Sequence, residues 1–153
     1  MKRARVITLS LLVLVPHAAA AQTNAAAERA WKPFFAAFRA AAKRRDREAL
    51  KKMMSPDFFT TGGGVDGEAR EGAFAFWDDS HVRGWEALDR TLAAGTVPYT
   101  YMRDARDKTP MRVAPPAANV RRRILRGDVD WYAIFEFGAD GRWYCTVFVQ
   151  CCD

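Results

Sequence analysis

Asp130–Gln150 reads DWYAIFEFGADGRWYCTVFVQ. Two runs rich in Trp, Tyr, Phe, Ile, Val and Thr flank Gly138-Ala139-Asp140-Gly141, and these residue types fit a pleated, half-buried surface. The stretch therefore reads as a β-hairpin. Its register decides which side chains enter the core, because a slip of one residue moves all of them to the other face. A loop of Ala139-Asp140-Gly141, with Gly141 left-handed, pairs Trp131 with Val149, Ala133 with Val147, Phe135 with Cys145 and Phe137 with Trp143. That face is wholly apolar. The other sets Tyr132, Ile134 and Glu136 against Phe148, Thr146 and Tyr144. A shorter Asp140-Gly141 turn would put Tyr144 and Thr146 among the core residues and Cys145 opposite Glu136, a poorer separation of apolar from polar.

Working outward, the chain opens with Lys2, Arg3 and Arg5, an apolar run from Val6 to Val15, and Pro16-His17-Ala18-Ala19-Ala20-Ala21. A basic lead, a short apolar run and a small-residue site read as a secretory signal peptide, residues 1–21, cleaved after Ala21 or Ala20. The apolar run is too short to span a bilayer. The mature chain, residues 22–153, is then a single domain, periplasmic or secreted, with no membrane span. The leader carries three of the 24 basic residues and none of the 18 acidic ones, so the charge falls from +6 to +3. This mild excess is a matter of solubility more than of partner, and nucleic acid is not expected as one.

Cys145, Cys151 and Cys152 all lie near the C-terminus. Six residues of extended strand separate Cys145 from Cys151 by roughly 20 Å, beyond the reach of a disulfide. Cys145 falls on the apolar hairpin face and reads as a small core residue. No CxxC spacing supports a zinc site with His81, and neither metal nor cofactor is expected.

In chain order, Gln22–Ala27 reads as a loose lead. Trp31, Phe34, Phe35, Phe38, Ala41 and Ala42 then recur at helical spacing, with Pro33 either opening that helix or kinking it. Asp46 is a good N-cap for a second helix bearing Ala49, Leu50, Met53 and Met54. Ser55-Pro56-Asp57 ends it, Phe58–Thr61 is a short strand, and Gly62-Gly63-Gly64 is a turn lacking the residues of a phosphate loop. Glu68–Asp79 reads as helix or irregular strand, and Gly84–Ala94 as an amphipathic helix stopped by Gly95. Thr96–Met102 is a strand that Pro98 confines to an edge. Met111–Ala114 is a short strand, and Asn119–Leu125 alternates weakly, as a strand pairing with the final hairpin would.

A long helix with an aromatic stripe, an Arg-Asp break, Ala-Leu on a short helix, and Ser-Pro-Asp-Phe entering a strand resemble the opening of the NTF2-like superfamily, in particular its SnoaL-like and DUF4440-type members. The closing hairpin, with Asp-Gly-Arg-Trp and a final Phe-Val, resembles that superfamily's last two strands. The resemblance covers about half of the mature chain. It implies an α+β fold in which N-terminal helices pack on a bent antiparallel sheet to form a cone around a pocket. It also implies dimers through the sheet in many members, and either pocket chemistry by Asp and His or binding without catalysis.

The densest polar and aromatic cluster is Trp77-Asp78-Asp79-Ser80-His81-Val82-Arg83-Gly84-Trp85. Asp79 orienting His81 as a general base would suit an isomerase or lyase, with Asp57 as a further carboxylate. The alternative is a helix-entry loop in which Asp78, Asp79 or Ser80 caps the next helix and the two tryptophans clamp the loop to the core. The balance favours a binding domain for a small apolar or aromatic ligand or a protein. Trp77, Tyr101, Trp131 and Phe135 are the ligand-binding candidates, with the pocket on the apolar hairpin face. The other hairpin face, Tyr132, Tyr144, Glu136 and Phe148, is the candidate homodimer contact.

Overall fold

The aromatic stripe does form a helix, and a longer one than its spacing indicates. The structure, a computed structural model, describes residues 16–61, 69–100 and 108–151. In it α1 runs from Pro16 to Arg44 with Pro33 inside. The lead expected at Gln22–Ala27 is helical instead, because its alanines have something to pack on. Thr23–Ala25 are exposed, but Ala27 is fully buried and its carbonyl accepts a 2.8 Å hydrogen bond from the Trp143 indole. Trp31, Phe38, Ala41 and Ala42 continue the buried stripe.

Arg45, at φ 53°, turns the chain out of α1. Asp46 then caps α2 (Arg47–Met53), its side chain accepting from the Ala49 amide at 3.1 Å. The next strand starts earlier than Phe58: β1 spans Met54–Thr60. Met54 is extended and buried in it, and Ser55, immediately before Pro56, is driven out of the helical region. The ambiguous segment before the polar cluster is a helix, α3 (Ala69–Asp78), and α4 (Gly84–Ala93) follows, with Gly95 left-handed just beyond it. Gly84 sits so close to α3 that a Cβ there would lie 2.7 Å from the Trp77 Cα.

Strands β2 (Val97–Pro98), β3 (Met111–Ala114), β4 (Trp131–Phe137) and β5 (Trp143–Gln150) complete an open mixed sheet in the order β1-β5-β4-β3-β2. Strands β1 and β5 run parallel and the other pairs antiparallel, so the sheet is mixed and not the wholly antiparallel one that the resemblance implies. Both edge strands contain a proline, Pro56 and Pro98. The strand expected at Asn119–Leu125 does not form. Pro116–Asn119 is a 3-10 turn and α5 (Arg121–Ile124) a single helical turn. Two tertiary facts decide this. The edge of β4 is already taken by β3. Asn119 spends its amide on the end of β2, accepting from the Thr100 N–H at 2.8 Å and donating to the Pro98 carbonyl at 3.1 Å.

The hairpin closes as a three-residue loop, with Gly138 N–H bonded to the Arg142 carbonyl at 2.7 Å and Gly141 at φ 79°. Phe137 pairs with Trp143 and Phe135 with Cys145, as the sequence indicates. A bulge then skips Thr146, so Ala133 pairs with Phe148 and Trp131 with Gln150 rather than with Val147 and Val149. The Thr146 hydroxyl donates to the Ile134 carbonyl at 3.3 Å and secures the bulge. The shift sends Phe148 to the helix side and Val147 to the outer side.

The main core lies between α1, α3, α4 and the inner face of the sheet, on Trp31, Phe38, Phe74, Trp77, Phe135 and Phe148. A smaller core on the outer face holds Val113, Ala118, Val129 and Ile134, where the Pro116–Asn119 turn folds over β3 and β4. Among the described residues no helix is long and apolar enough to cross a membrane.

Candidate functional site

At three of the positions the sequence suggests, the inner face is packed with rings. Phe135 is completely buried, with Trp31, Phe34, Phe35 and Phe38 around its ring. Trp131 stacks on Phe148 at 4.9 Å. Trp77 packs edge-on against Phe58, Phe74, Trp85 and Phe148. Trp77, Trp131 and Phe135 are therefore part of the packing between helices and sheet, and of the three Trp131 also borders a hollow, a shallow one of about 160 Å³ beside Arg90 and Asp128. Tyr101 lies outside the described residues, as do the Gly62–Gly64 turn and Cys152.

The polar cluster after α3 is a joint between helices. Asp79 Oδ1 accepts from the backbone N–H of His81 at 2.7 Å, and the Asp79 carbonyl accepts from the N–H groups of Val82 and Arg83. Asp78 accepts from the Trp85 indole at 2.9 Å and pairs with Arg47. Asp79 thus binds the main chain of His81, while His81 itself is exposed. The two indoles clamp the joint to the core, as in the helix-entry reading of this loop, but none of Asp78, Asp79 and Ser80 caps α4: its N-cap is Arg83, at φ 53°, with no side-chain cap hydrogen bond.

Asp57 belongs to a different place. The outer face of the sheet is covered at its β3 end by the Pro116–Asn119 turn and left open toward β1. There a hollow of about 460 Å³ remains. Ile134, Val147 and Met111 contribute apolar surface to it, and Thr146 of the bulge a hydroxyl. Ser55, Asp57 and Phe59 of β1 line it on one side, Glu136 and Tyr144 on the other. Phe59 is 63% exposed, an unusual state for a phenylalanine on a strand.

Tyr144 donates its hydroxyl to Asp140 Oδ2 at 2.6 Å. That bond holds the Asp140 carboxyl below its ordinary range and pushes the Tyr144 phenol above its own. Arg142 stands over the same ring, its Cζ 5.6 Å from the centroid. A side chain at Gly138 would meet Asp140 Oδ1 at 2.8 Å and push that carboxylate aside. Cys145, behind this wall, is fully buried, and burial pushes its thiol far up, which makes it inert.

The hollow therefore offers two carboxylates, two aromatic rings, a hydroxyl-bearing bulge and apolar surface. Neither a histidine nor a cysteine lines it. Among the described residues no group of three or more His, Cys, Asp and Glu side chains is disposed to hold a metal. Sequence reasoning reached Asp57, and it put Tyr144 and Glu136 together on the outer hairpin face, as a candidate homodimer contact. It missed Phe59 and Met111, whose meeting depends on the strand order. Compared with known proteins, the chain matches no family model, no curated protein and no solved structure.

Proposed function

We propose that the chain is an exported binding domain of the NTF2-like type, which holds a small molecule in the outer hollow of its sheet without transforming it. One observation carries the reading: a concavity of about 460 Å³ built around an exposed aromatic, Phe59. Sites of roughly 300–1,000 Å³ with apolar walls and a few polar groups are typical of small-molecule binding. The helices-then-sheet order and the open sheet are compatible with the NTF2-like type. Export is compatible with α1, since cleavage after Ala21 leaves the packed part from Ala26 onward intact.

A second reading, a homodimer through the same face, draws on the apolar side chains left in solvent. Phe59 at 63%, Val120 at 46% and Leu125 at 71% are the exposed large hydrophobics among the described residues. Native mass spectrometry of the mature chain, purified from the periplasm, tests both. A monomer carrying a small non-covalent adduct that is lost in Phe59→Asp is the expected result. Bare monomer from both proteins overturns the binding reading. A dimer that Phe59→Asp dissociates replaces it with assembly.

A further inference from the structure

Resting on the reading of the outer hollow as a binding site, we infer that its ligand is a small organic cation, an ammonium or guanidinium group carried on an apolar body. The two charged side chains lining the hollow, Asp57 and Glu136, are both acids. Among the described residues neither carboxylate sits in an ion pair. This sign is opposite to that of the chain, which carries +6 with its leader and still a net positive charge without it. The third carboxylate nearby, Asp140, is occupied by the Tyr144 hydroxyl.

Glu136 is half-buried on β4, between Tyr144 and Met111 in the sheet register. A neutral apolar body pressed onto Ile134 and Val147 would strip water from Glu136 and return nothing, a net cost. An anion would add repulsion. A cation on an apolar stem answers both demands: the head meets the carboxylates and the stem covers the apolar surface. The exposed Phe59 ring offers the face that attracts a cation, and Arg142 over Tyr144 is an example already present in the wall.

Three probes sharing one naphthyl body separate charge from shape: 2-(2-naphthyl)ethylamine, the corresponding alcohol, and 2-naphthylacetate. Each is titrated into the nitrogen-15-labelled mature chain and followed by amide chemical shifts. The expected result is shifts at Asp57, Phe59, Glu136 and Val147, with the amine binding at least about tenfold tighter than the alcohol. The double variant Asp57→Asn, Glu136→Gln keeps alcohol binding and loses the preference. Equal binding of amine and alcohol overturns the cation and leaves the binding reading intact. Preference for the acetate also overturns the cation. If none of the probes moves these amides, both fall. If the same amides shift with protein concentration alone, the occupant is a second copy and the small cation is overturned.

Discussion

A single hydrogen bond, from Tyr144 to Asp140, moves two titrations in opposite directions. Asp140 is held below its ordinary value, so the stability it lends is complete above the unfolded carboxylate's pKa and is lost as pH falls through the lowered folded one. Tyr144 is raised, so its share is complete below the unfolded phenol's pKa and is lost as pH rises through the raised folded one. Tyr144→Phe is expected to bring the Asp140 inflection back up toward an ordinary carboxylate, read by carbon-13 titration of the side chain. An unmoved inflection would remove the bond as its cause. The sequence put Asp140 in the turn and Tyr144 on the less apolar face, yet their link depends on how a three-residue loop brings them together. His81 teaches a related lesson. Nine residues rich in acids and indoles look like a site, but composition does not say whether Asp79 faces an imidazole or a main-chain N–H. Here it takes the main-chain N–H.

Among elements, the crossing of α3 and α4 is the most exacting. Gly84 lets α4 start against Trp77, with an added Cβ meeting the backbone and the indole of that residue at 2.7 Å. Gly84→Ala is expected to cost about 1–3 kcal/mol, the usual penalty of overpacking. A fall in the urea midpoint at unchanged slope would measure it; an unchanged midpoint would mean the helices separate without cost. Helices α1 and α4 were legible because period 3.6 repeats over several turns, and α2 because Asp46 caps it, whereas the segment of α3 read equally as helix or irregular strand. The Asn119–Leu125 segment was not, being too short for a period; the claims of β3 on β4 and of Asn119 on β2 settled it. The Thr146 bulge was equally hidden. Val147 and Phe148 are both apolar, so either register buries a plausible residue, and only the helices above select the larger one.

For the molecule as a whole, α1 is the clasp. Trp143 donates to the Ala27 carbonyl across 116 residues of chain, Arg112 bonds Glu28 at 3.0 Å, and the same guanidinium lies 5.0 Å above the Trp31 ring. A chain starting at residue 22 is therefore expected to unfold cooperatively, with native near-ultraviolet dichroism. One starting at residue 33 loses Trp31 and both ties. Removing one such buried ring costs about 3–5 kcal/mol, against a typical total of about 5–15. Loss of the near-ultraviolet signal is the expected outcome, and equal thermal midpoints for the two chains would refute the clasp. The α+β class was visible in the order of patterns, helices first and strands last. The strand order was not, since the parallel pairing of β1 with β5 joins segments far apart in sequence and leaves no local trace. That order also places a proline in each rim strand, and Asn119 occupies backbone groups at one of them. Neither rim then presents an uninterrupted ladder for a foreign strand to zip onto, and fibril growth lacks a template at both ends of the sheet.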